Sequence, residues 1–173
     1  MMLLAELGDV VQVLDAFWRG SVGSASAFFS GTLVRAIPLA LIGVGVSLAF
    51  RAGVFNIGGE GQLLLGAVAA TVVGLHVDSV VCMSAPIALV AAAVGGALWA
   101  GIAAFLRARF GVLEVISTIM LNFIAANLVS YLVRGPLQES TGIFPYSDQF
   151  PESAQWPRLL ARYPLGYDVF LVL

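Results

Sequence analysis

Phe50-Arg-Ala-Gly-Val-Phe-Asn-Ile-Gly-Gly-Glu-Gly-Gln62 lies between two hydrophobic runs, each short for a membrane helix. Ala36–Phe50 supplies 15 residues before the break and Leu63–Leu75 supplies 13 after it. At about 1.5 Å per residue such runs reach about 20 Å, against about 30 Å of bilayer hydrocarbon. The missing length falls to a Gly-rich segment that carries Arg51, Asn56, Glu60 and Gln62. Irregular polar backbone survives at membrane depth only where protein buries it or where it lines a cavity. Short hydrophobic segments interrupted by glycine are the usual sequence pointer to a solute pathway.

Composition agrees with a membrane setting. The chain is 60% hydrophobic and 10% charged, with a mean hydropathy of +1.00, whereas soluble domains carry about 25% charged residues. All eight basic residues are arginine, and the net charge of −2 argues against a nucleic-acid partner. The one cysteine, Cys82, sits in an apolar run and reads as a small buried hydrophobe. The first twenty residues carry Glu6, Asp9 and Asp15 and no basic stretch ahead of an apolar core, so they do not read as a signal peptide.

The expected fold is an all-α polytopic helix bundle. Residues 1–32 read as an amphipathic interfacial helix, with Leu7, Val10, Val11, Leu14, Phe17 and Trp18 on one face, followed by a Ser/Gly-rich connector. The membrane domain then covers 33–173, with spans at about 33–50, 61–75, 80–105 and 112–133 and the start of another at 167–173. Residues 106–111 read as a tight basic turn. Residues 134–166 hold five prolines among aromatic residues and read as an external loop with pieces in the headgroup zone. The positive-inside rule puts Arg51, Arg107 and Arg109 on the cytoplasmic side. An outward N-terminal helix then implies a preceding transmembrane helix, and the apolar run at the end implies a following one.

Two patterns concern packing and polarity within the spans. Ala88, Ala92, Gly96, Ala100 and Ala104 form a ridge of small residues at intervals of four, echoed by Gly66, Ala70 and Gly74. Such ridges let helix backbones approach closely, the main source of attraction between helices in lipid. Glu114, Thr118 and Asn122, joined by Ser117, fall on one helical stripe. A carboxylate and an amide are costly against lipid, so the stripe faces either other helices, as interhelical hydrogen bonding, or a hydrated path. Asn127 falls on another face, where it would pair with a neighbouring helix.

Other chemistries lack their parts. There is no G-x-x-x-x-G-K-[ST] phosphate loop, and Gly58-Gly59-Glu60-Gly61 does not follow a strand as a dinucleotide fingerprint requires. His76 is the sole histidine, so neither a metal cluster nor a Ser-His-Asp triad can be assembled. No cofactor and no enzymatic activity are expected.

Three blocks of sequence carry a resemblance. The first is Thr32-Leu-Val-Arg-Ala-Ile-Pro-Leu39 through Gly43, continuing in Phe50 to Gln62 and Leu63-Leu-Leu-Gly-Ala67. The second is Gly111-Val-Leu-Glu-Val-Ile-Ser-Thr-Ile-Met-Leu-Asn122, and a weaker third is Phe17-Trp-Arg-Gly20 with Gly23-Ser24. Together they resemble the inner-membrane permease subunits of bacterial ABC importers. The branch is the one shared by ribose, simple-sugar and branched-chain amino-acid permeases, and the likeness is greatest to the nucleoside-type permeases that work with a lipoprotein receptor.

The resemblance implies a multi-pass subunit of the bacterial inner membrane that passes a nucleoside or simple sugar. Its implied partners are cytoplasmic ATPase subunits, a second permease subunit, an external solute-binding lipoprotein and membrane lipids. Asn56, Glu60, Gln62, Thr118 and Asn122 are the expected path residues, while Arg51, Gly53, Gly58, Gly59, Gly61 and Gly96 shape the loop and the helix packing. Glu60 either meets solute hydroxyls or accepts the Arg51 guanidinium, the second role being preferred. Three alternatives stay open: an ATP-independent channel or secondary carrier, a branched-chain amino-acid permease, and a scaffold without cargo. By this resemblance the chain is about half a permease.

Overall fold

The computed structural model describes residues 2–76 and 84–149. The start of a span expected at 167–173, and the loop beyond residue 149, lie outside the described residues. Most of those described are in helices, and none forms a strand. They belong to two compact units, one built on residues 1–41 and the other on residues 42–155.

In the first unit, α1 (Met2–Ser21) ends where the Ser21 hydroxyl donates to Phe17 O at 2.7 Å. Thr32 Oγ1 donates to Ser21 O at 2.7 Å, joining the end of α1 to the segment that follows. That segment, Ala27–Leu33, is a π-helix and runs directly into α2 (Val34–Arg51). The expected connector is therefore partly helix. The apolar element spans Ala27–Arg51, 25 residues, and is not short for a bilayer. Phe28 and Phe29 extend its apolar character upstream of Leu33.

A Schellman motif stops α2. Val54 N–H donates to Ala49 O at 2.9 Å and Gly53 N–H to Phe50 O at 3.0 Å. Gly53 sits at φ +75°, a conformation that side-chain-bearing residues rarely adopt. Residues 54–58 are then non-helical, and α3 runs Gly59–His76. It starts before the expected Gly61, so Glu60 and Gln62 stand in its first turn.

Helix α4 (Ser84–Phe110) carries the chain back. Arg107 and Arg109, expected in a turn, are in its last helical turn, where cations suit the negative end of the helix dipole. The turn itself is Gly111–Leu113: Gly111, at φ +68°, closes the helix with its N–H on Arg107 O at 2.9 Å. Helix α5 is Glu114–Val133.

Small residues bring α3 and α4 together. A Cβ on Gly66 would lie 2.9 Å from Ala92 O, and one on Gly96 would lie 3.0 Å from Gln62 O. Gly95 packs against Ala69 and Leu65 O in the same seam. The pairing is antiparallel and sets Gln62 against Gly96, about halfway along α4. Buried apolar residues are correspondingly small: Ala85, Ala103 and Ala125, with Leu121. Larger side chains such as Leu98, Phe105 and Phe123 point outward, as lipid permits. Among the described residues three helices, Ala27–Arg51, Ala85–Phe110 and Glu114–Val133, are long and apolar enough to cross a membrane.

Candidate functional site in the broken segment

The non-helical segment climbs alongside the first turns of α5. At its lower end Phe55 N–H donates to Glu114 Oε2 at 3.0 Å. Midway, Gly58 packs so closely on Thr118 that a Cβ there would lie 3.1 Å from the Thr118 Cβ. At its upper end Asn122 grips the chain on both sides of the helix start. Its Oδ1 accepts the Gly61 N–H at 2.9 Å and its Nδ2 donates to Ile57 O at 3.0 Å. From Glu114 to Asn122 is about 12 Å of helix rise. The first turn of α3 therefore begins well inside the bundle, beside Gly96 and Trp99 on α4.

A second set of bonds folds the segment on itself. Asn56 Oδ1 accepts from Gly58 N–H at 2.8 Å and from Gln62 Nε2 at 3.1 Å. Gln62 N–H closes the first α-helical bond onto Gly58 O at 3.0 Å. The glycines are required by closeness. A Cβ on Gly61 would lie 2.9 Å from Asn122 Oδ1 and 3.0 Å from Trp99 Nε1, and one on Gly59 would lie 2.6 Å from Ile42 Cγ2.

The structure thus brings together Asn56, Gln62, Thr118 and Asn122, and their polar atoms are largely engaged within the protein. Thr118 Oγ1 donates to Glu114 O at 2.8 Å and is buried. Glu60 differs: it is exposed and carries neither a hydrogen bond nor an ion pair among the described residues. The preferred Arg51–Glu60 pair does not form. Arg51 closes α2, whereas Glu60 opens α3, and the climbing segment separates them. Asn127 likewise donates to Phe123 O of its own helix at 2.8 Å rather than to a neighbour.

Two residues outside the expected set contact the segment. Glu114, with a side chain only 9% exposed, pairs with Arg107 across the α4–α5 turn while it holds Phe55. It also suits the positive end of the α5 dipole. Its sequence signal was the stripe with Thr118 and Asn122. Trp99 Nε1 is buried beside Gly61 without a hydrogen-bond partner among the described residues. No sequence pattern marks it, because its position follows from the α3–α4 seam. Below the segment, Phe55, Arg107, Val112, Leu113 and Glu114 line an open cavity of about 480 Å³. No cluster of metal-ligating side chains occurs among the described residues.

Comparison with known proteins assigns the family. Residues 28–163 match the model of the branched-chain amino acid transport system / permease component family. This chain belongs to that permease family. It is 45% identical over 161 residues to a glucose ABC transporter permease protein of Haloferax volcanii, covering 92% of this chain and 42% of that one. It is 41% identical over 146 residues to a guanosine ABC transporter permease protein of Bacillus subtilis, covering 82% of this chain and 41% of the relative. A nucleoside ABC transporter permease protein of Lactococcus lactis is 31% identical over 130 residues, 75% of this chain and 35% of its own. The permease chain spans about two-fifths of the length of the first two relatives. No solved structure matches it. Both the sugar and the nucleoside permeases of the expected superfamily are among its relatives, and the permease is a multi-pass membrane protein.

Proposed function

We propose that the chain forms part of the translocation path of an ATP-driven importer for a small polar solute, a simple sugar or a nucleoside. The observation that carries this reading is the α3 N-terminus, held inside the bundle by Asn122 with the non-helical 54–58 segment beneath it. The exposed, unbonded Glu60 carboxylate in that first turn suits hydroxyl-bearing cargo, because such a contact is individually weak and readily exchanged. Within the expected set, Glu60 is the solute-facing group. Asn56, Gln62, Thr118 and Asn122 position the segment that presents it, with Gly58, Gly59, Gly61 and Gly96 permitting the close packing.

The working assembly in this reading contains cytoplasmic ATPase subunits, a second permease subunit and an external solute-binding lipoprotein in a bacterial inner membrane. The relatives' names, ABC transporter permease proteins for glucose and for nucleosides, support the ATP-driven part of this reading. The test is uptake of labelled glucose and guanosine by cells carrying the intact transporter with Glu60→Gln. Uptake of the cognate solute falls about tenfold while membrane insertion is unchanged. Wild-type kinetics in that variant would remove Glu60 from the path, and uptake that persists without ATP hydrolysis would replace the importer by a carrier.

A further inference from the structure

Beyond α5 the chain builds a small ordered loop whose apolar side chains point outward. Its root is fixed to the last turn of the helix, Leu137 N–H donating to Leu132 O at 2.8 Å. Glu139 N–H donates to Tyr146 O at 2.8 Å and closes the tip. The Glu139 carboxylate accepts the Phe144 N–H at 3.1 Å and the Thr141 hydroxyl through the same oxygen. Asp148 Oδ1 accepts from Ser140 N–H at 3.0 Å and from the Ser140 hydroxyl at 3.2 Å. Gln138 Nε2 donates to Gly142 O at 3.0 Å.

Both carboxylates of the loop are therefore engaged by its own donors. What the loop displays is Ile143, 72% exposed, with Phe144 and Tyr146, each 51% exposed. The two rings stack with centroids 5.4 Å apart and planes 6° from parallel. Water does not favour such an arrangement: apolar area is left hydrated while polar groups hold the backbone in place.

We propose that the Ile143–Phe144–Tyr146 tip inserts into the lipid headgroup zone at the end of α5. The occupant follows from continuity, since the loop is bonded to the final turn of a 20-residue helix that is long and apolar enough to cross a membrane. The zone adds only about 5 to 8 Å to each side of the hydrocarbon. Aromatic rings with one polar tip favour that depth, and Tyr146 brings its hydroxyl to it. The anchor fixes the height of α5 and, through Asn122, that of the α3 start. It is independent of which solute is carried.

The test uses the chain in liposomes with Cys82→Ala, which removes its one thiol, and a single new cysteine at Phe144→Cys or, separately, Ile143→Cys, labelled with a nitrobenzoxadiazole dye. Expected are blue-shifted emission, at least threefold weaker quenching by aqueous iodide than for the free dye conjugate, and strong quenching by phospholipids carrying a headgroup or upper-chain nitroxide. Emission at the aqueous position without nitroxide quenching overturns the proposal. Protection from iodide without nitroxide quenching also overturns it, by showing that protein covers the tip.

Discussion

Asn122 Oδ1 accepts the Gly61 N–H while the same side chain donates to Ile57 O, so a single amide spans the junction between irregular chain and helix. Interior backbone groups need partners, and the first amides of a helix have none within it. Asn122 supplies one acceptor and one donor where two backbone groups need them.

Asn122→Ala removes both bonds and leaves Ile57 O and Gly61 N–H without partners. Because Gly61 is buried but Ile57 is exposed, the expected loss is about 1 to 3 kcal/mol. Thermal unfolding in detergent should occur at a clearly lower temperature, and limited proteolysis should gain a site within 54–58. Asn122→Asp keeps only the acceptor and should fall between the two.

Gly61→Ala places a methyl group against Asn122 Oδ1 and Trp99 Nε1. Overpacking at such a site costs about 1 to 3 kcal/mol. Gly101→Ala in α4, where nothing lies within 4 Å, is the control and should be neutral or stabilising. Equal thermal stability of the two variants would contradict the close packing at Gly61.

Glu114→Ala leaves the Phe55 N–H without its acceptor and Arg107 without its ion pair. Because Arg107 is half-exposed, the expected cost is about 1 to 2 kcal/mol, below that of a fully buried pair. Glu114→Gln keeps an acceptor for Phe55 and should lose less. Hydrogen exchange at Phe55 separates them: faster in the alanine variant, near wild type in the glutamine variant.

Trp99→Phe deletes a buried N–H that has no partner and retains most of the apolar packing. An unsatisfied buried donor costs about 1 to 3 kcal/mol, so thermal stability should rise. A fall in stability would show that the indole N–H has found an acceptor in the folded protein.

Composition and hydrophobic periodicity suffice to make the chain a helical membrane protein with a polar break after α2. Charge scarcity and long apolar runs leave no other environment, and glycine spacing foreshadowed the α3–α4 seam. The sequence also placed Glu114, Thr118 and Asn122 on one stripe, since helical periodicity alone requires it. Which partners that stripe meets is not a local property. Tertiary structure decided that Asn122 bonds the α3 start, that Glu114 rather than Glu60 receives an arginine, and that Trp99 stands beside Gly61. Residues distant along the chain meet there only because backbone approach at Gly61, Gly66 and Gly96 sets the helix register. The length of the first apolar element was likewise hidden, because a π-helix carried Ala27–Leu33 into α2 through residues whose composition suggested a connector.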